Sequence, residues 1–240
     1  MRSETLHPVT DYIAELFRFL VRAEDFVGLP YFDTANPPRA TIGYGFNIEV
    51  TDYLLLVLNE LGIVDDTMTA AEITARRNAF TTAINNTPDG NRDALRANLN
   101  QVAQQYSVQT FAIDGTQGYA IYDYIIEGLS FGPITVGGKE QRLDAILQNS
   151  LAHNSQEYVA VMSLFYNGEG LVGIRTNLRN AIIHDNRAEA WYEIRFGSNS
   201  QSIHANRRYA ESYLFGLYDE GATFTDPNEA KEVMRMYTWN

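Results

Sequence analysis

The chain contains no cysteine, which excludes disulfide staples and thiolate metal sites, and its four histidines (His7, His153, His184, His204) never fall at zinc-ligand spacing. No metal and no cofactor are expected. Positive charge is also scarce, with 18 Lys and Arg against 30 Asp and Glu for a formal net charge of −12. Such a field repels nucleic acid and anionic membranes, so neither is expected as a partner. Long apolar runs are missing as well. The N-terminal stretch MRSETLHPVTDYIAELF mixes acids with apolar residues, unlike a secretory signal or a membrane span. Membrane insertion is therefore not expected, and any action outside the cytoplasm requires a separate delivery route.

What is present suffices for a globular protein. The 240 residues are 45% hydrophobic and 12% aromatic, enough to bury a core in one or two domains. There is no internal repeat and no low-complexity tract.

Ile13, Leu16, Phe17, Leu20 and Val21 recur at helical spacing, with Thr10 or Asp11 as N-cap. At about 100° per residue, Glu24 returns to within roughly 20° of Ile13 and so to this apolar stripe, while Asp25 points away. Gly28 and Pro30 are expected to end the helix. The segment LPYFDTANPPRATIGYGFNIE then predicts two short strands around an Asn- and Pro-rich turn. In the second strand Ile42, Tyr44 and Phe46 should share one face. Thr41, Gly43 and Gly45 should share the other, leaving it bare enough for a ligand.

Downstream, TDYLLLVLNELGI predicts a helix ending at Gly62, and two helices should turn back on each other at Pro88, Asp89 and Gly90. Residues 107–138, rich in glycine and aromatics, give no clear assignment. EYVAVMSLFYN is apolar nearly all round and predicts a buried central helix, followed by helices in TNLRNAII, RAEAWYEI and ANRRYAESYLFGLY.

Three residues suggest chemistry. An acid at the end of an apolar stripe, Glu24, is partly desolvated, which keeps a carboxyl protonated as a general acid requires; a solvated helix-end Glu is the plainer alternative. Asp33 can hold a water, or can simply cap a turn. Thr41, on the glycine-bare face, lies within reach of such a water, or is an ordinary strand residue.

Taken together, the string E-x8-D-x7-T-I-G-Y-G resembles the active-site signature of the phage-type lysozymes, glycoside hydrolase family 24. In that family a helix ends in the catalytic Glu, and a small hairpin carries an Asp and then a Thr in a T-I-G-x-G strand. Glu24, Asp33 and Thr41 occupy those places. SLFYNGEG, TNLRNAI and ANRRYAESYLF resemble the family's central helix, following helix and closing Asn-Arg segment. The resemblance implies that Arg207 approaches Glu24, that Asn206 lies near the cleft, and that Tyr44, Asn47, Asn206 and Arg207 contact substrate. The plainer reading of Arg207 is an i, i+4 pair with Glu211 on a solvated face. Between residues 171 and 210, Arg175, Arg179, Arg187, Arg195, Arg207 and Arg208 outnumber Asp185, Glu189 and Glu193, suggesting a mildly basic wall.

The sequence departs from the family in the longer turn ANPPR, in Phe46 where many relatives carry His, and in the long middle segment. The implied fold is α+β, mainly α: lysozyme-like and two-lobed, with a small β-hairpin lobe and a larger helical lobe. The expected divisions are 1–64 for the lobe with the catalytic helix and hairpin, 65–148 for a mostly helical insertion or enlarged linker, and 149–240 for the C-terminal helical lobe.

The implied activity is that of a peptidoglycan muramidase cutting the β-1,4 bond between N-acetylmuramic acid and N-acetylglucosamine. The alternatives are a lytic transglycosylase or an inactive glycan-binding module of a toxin or phage protein. Expected partners of the monomer are glycan strands, with an immunity protein or delivery machinery also possible. Action is expected in the periplasm or wall of a target bacterium, reached through a holin or a secretion machine.

Overall fold

A computed structural model describes residues 9–21, 25–167, 175–198 and 205–217. The chain is α+β and mainly helical, and it divides into two compact units, one formed by 1–20 with 139–240 and the other by 21–138. The segment 65–148 is therefore shared between them: most of it folds with the hairpin region, and only its last ten residues join the other unit.

In the unit 21–138, β1 (Val27–Phe32), β2 (Ala40–Gly43) and β3 (Phe46–Asn47) form an antiparallel sheet with β2 in the centre. The register pairs Tyr31 with Thr41 and Thr41 with Asn47. Gly28 and Pro30, expected to break a helix, lie inside β1. Pro30 is tolerated because β1 is an edge strand, where the missing N–H interrupts no ladder on the open side. Its carbonyl accepts from Arg96 Nε at 2.9 Å.

Helix α2 (Thr51–Glu60) buries Leu54 to Leu58 and gives way at Gly62, whose φ of +65° suits a residue without Cβ. The hairpin of α3 (Ala70–Asn85) and α4 (Arg92–Gln104) turns at Pro88, Asp89 and Gly90 as expected. Thr69 caps α3 in a reciprocal box with Glu72, and its hydroxyl and backbone N–H hold the Glu72 carboxyl below its usual range. The region that sequence left unassigned contains α5 (Gly115–Glu127) and a hairpin of β4 (Gly128–Phe131) and β5 (Ile134–Gly137).

The other unit begins with α1 (Tyr12–Val21), whose Asp11 Oδ1 accepts from Ala14 N at 3.0 Å and so acts as the N-cap. Tyr12, Ile13, Leu16 and Leu20 are buried, in agreement with the predicted stripe. It continues with α6 (Lys139–Leu147), α7 (Gln156–Asn167), α8 (Thr176–Ile183), α9 (Arg187–Tyr192), a π-helical turn (Glu193–Gly197) and α10 (Ala205–Phe215). Helix α7 is the core: Tyr158, Val159, Ala160, Val161, Met162, Leu164 and Phe165 are all buried. Each large apolar side chain hidden there contributes about 1.5–3 kcal/mol. A buried ion pair ties α9 to it, and Ser163 of α7 donates to the buried Glu211 of α10 at 2.8 Å. Arg187 Nη2 meets Glu157 Oε1 at 2.6 Å with both side chains fully buried, and Glu211 of α10 pairs with Arg207 and Arg208.

Candidate functional site

The hairpin carrying Asp33 and Thr41 is organised around one residue, Arg39. Asp33 N donates to Arg39 O at 3.0 Å, and Asp33 Oδ1 accepts from Arg39 N at 2.8 Å and from Ala35 N at 3.0 Å. Thr41 Oγ1 donates to the same Arg39 O at 3.0 Å. Two of the three predicted catalytic side chains, Asp33 and Thr41, thus bond to one backbone residue. The turn-capping role foreseen for Asp33 is present too.

Thr41 is 2% exposed, so its hydroxyl is an interior group, whereas the Asp33 carboxylate is half-buried. Glu49 completes the frame: its Oε1 accepts from Ala40 N at 2.7 Å, between the two site residues. Asn47, opposite Thr41, is half-buried and uses its Oδ1 to accept from Glu49 N at 2.9 Å.

The glycines behave differently from expectation. The predicted second strand running through Tyr44 and Phe46 is broken, because Gly43 and Gly45 adopt φ of +66° and +81° and make Tyr44–Gly45 the turn between β2 and β3. The face expected to be bare is filled. A Cβ on Gly43 would stand 2.7 Å from the Phe46 ring and 3.0 Å from Ile113 Cδ1. Gly43 therefore admits core packing rather than a ligand. Phe46 itself is fully buried, which accounts for an apolar side chain at this position. Tyr44 is half-buried against Phe26, with ring centroids 5.0 Å apart.

Glu24, the predicted general acid, lies outside the described residues. In the other unit, Asn206 is exposed near the start of α10. Arg207 Nε donates to Glu211 Oε1 at 3.1 Å and its Nη2 reaches Ser163 Oγ at 3.2 Å. The i, i+4 pair exists, but Glu211 is fully buried, so the expected solvated face is instead a structural ion pair at the edge of the core. The predicted basic wall is corrected for the same reason: Arg187 and Arg208 are internal counter-ions of Glu157 and Glu211.

Sequence reasoning missed one cluster. Glu140, Asp144 and His153 offer ligand atoms all within 4.8 Å of one another, the one group among the described residues with a donor set suited to a cation. His153 Nδ1 lies 2.5 Å from Glu140 Oε1 and Nε2 2.8 Å from Asp144 Oδ2. His153 thus lies between the two carboxylates, one at each ring nitrogen. Tyr12 donates to Glu140 at 2.5 Å and Tyr158 to Asp144 at 3.0 Å. Burial, then the adjacent Asp144 charge, push the Tyr158 hydroxyl far above the ordinary tyrosine range. The i, i+4 spacing of Glu140 and Asp144 was a visible signal, but the partner His153 is brought in by the loop before α7.

No protein-family model, curated protein or solved structure matches this chain. No helix of the described residues is long and apolar enough to cross a membrane.

Proposed function

We propose that the chain is a peptidoglycan muramidase acting through Glu24, Asp33 and Thr41. Support comes from one observation above all: Asp33 and Thr41, which the E-x8-D-x7-T spacing singles out, bond to the same residue, Arg39, on a small antiparallel sheet. A glycosidase needs a proton donor on one side of the scissile bond and a fixed group for water on the other. Glu24 donates its proton to the departing glycosidic oxygen as the bond to the anomeric carbon breaks. Water attacks that carbon from the opposite face and gives its proton to the Asp33 carboxylate. The buried Thr41 hydroxyl donates to Arg39 O, so its part is to hold the Arg39 backbone that in turn fixes the Asp33 carboxylate. The stereochemical outcome is inversion.

The lysozyme-like two-lobed arrangement belongs to the same proposal, as do glycan strands as the substrate and the periplasm or wall of a target bacterium as the place of action. Digestion of purified sacculi followed by mass spectrometry tests it. Muropeptides with a hydrated reducing end are expected. Anhydro ends would identify a lytic transglycosylase, and binding without release a glycan-binding module.

A further inference from the structure

We propose that the exposed aromatic face around Arg195 is a second docking surface for carboxylate-bearing glycan, formed by residues other than those of the hairpin. The identity of the ligand rests on the muramidase reading. Among the described residues, three of the five exposed large apolar side chains fall here: Phe196 at 43%, Tyr209 at 55% and Tyr213 at 77% exposure.

Phe196 and Tyr209, together with Trp191, surround a fixed cation. The Arg195 guanidinium carbon lies 4.1 Å from the Tyr209 ring centroid, 5.2 Å from Trp191 and 5.8 Å from Phe196. Trp191 and Tyr192 in turn pack against Phe196, with centroids 6.2 and 5.2 Å apart. Tyr213 continues the row one helical turn beyond Tyr209 on α10. The display depends on the π-helical turn Glu193–Gly197, which carries both Arg195 and Phe196. Such turns insert an extra residue into a helix and recur at functional sites.

Charge decides the occupant. Arg187, Arg207 and Arg208 each have a buried glutamate as counter-ion. Arg195 donates to Ser212 Oγ at 3.3 Å and pairs with no carboxylate among the described residues. In a chain of net charge −12, this guanidinium, held by three rings, is a local site for an anion. An apolar partner would desolvate it without a counter-ion. A glycan bearing lactyl and stem-peptide carboxylates satisfies both halves of the surface: its sugar faces stack on the rings and its carboxylate meets the guanidinium.

The test is co-sedimentation of the full chain with purified sacculi, run beside hydrolysis of a short soluble muramyl oligosaccharide. Tyr213→Ala, at a side chain three-quarters exposed, leaves the fold intact, and Arg195→Ala removes the cation. Each should weaken sedimentation about tenfold, corresponding to about 1.4 kcal/mol, with soluble turnover unchanged. The salt sensitivity of binding should fall in Arg195→Ala alone. Sedimentation equal to wild type in both variants overturns the proposal. A wild type that sediments through these residues but hydrolyses nothing breaks the muramidase reading and leaves the docking surface standing.

Discussion

Asp33 is the residue at which turn capping and catalysis can be pulled apart. Its Oδ1 accepts two backbone N–H groups, from Ala35 at 3.0 Å and Arg39 at 2.8 Å. Asp33→Asn keeps an oxygen in that place but removes the negative charge, so two charge-assisted bonds become neutral ones. The expected cost is about 1 kcal/mol, and less where solvent reaches the half-buried group. Asp33→Ala loses both bonds, at a cost of about 2 kcal/mol. A residue that only caps the turn would therefore give graded effects, with the Asn variant near wild type in both stability and activity. A carboxylate that takes a proton from water gives a different pattern. Urea unfolding should separate the two variants, while release of reducing ends from sacculi should fall by about 100-fold or more in both. Near-full activity in Asp33→Asn would refute the assignment of this carboxylate to water activation.

Other parts of the structure yield sharp expectations. Gly43→Ala forces a positive φ on a residue with Cβ and drives that atom against Phe46, so it should lose about 2–4 kcal/mol of stability by urea unfolding. Arg187→Leu removes the Arg187 counter-ion of the fully buried Glu157 carboxylate and should cost about 3–5 kcal/mol, much of it recovered when Glu157→Leu is added. Tyr158 has its folded pKa raised, so its contribution to stability is intact below about pH 10 and is lost as pH rises and the unfolded chain ionises first. Wild type should therefore lose about 1.4 kcal/mol per pH unit more than Tyr158→Phe above that point, read from urea midpoints between pH 9 and 11.5.

Elements whose pattern is local were legible in the sequence. The all-round apolar surface of α7, the Asp11 cap of α1 and the Pro88–Gly90 turn each depend on neighbouring residues alone. Helix α5 was hidden because Gly118 sits in its interior. The reason is tertiary: a Cβ there would meet the Phe26 ring at 2.7 Å and Tyr44 at 3.2 Å. The strand through Gly43 and Gly45 misled because alternation does not register positive φ, and the basic wall misled because a charge count cannot distinguish Arg187, buried against Glu157, from a surface arginine. Spacing put Asp33 and Thr41 in one hairpin, where each bonds to Arg39. It gave no hint that the meeting point would be the backbone of Arg39, or that His153 would bridge two carboxylates.

The most direct measurement compares wild type with Glu24→Gln on purified sacculi, quantifying new reducing ends while circular dichroism checks the fold. A general acid contributes about 100- to 10,000-fold, so the glutamine variant should lose activity to that extent and keep its helical spectrum. Wild-type rates from a folded Glu24→Gln protein would contradict the account at its centre.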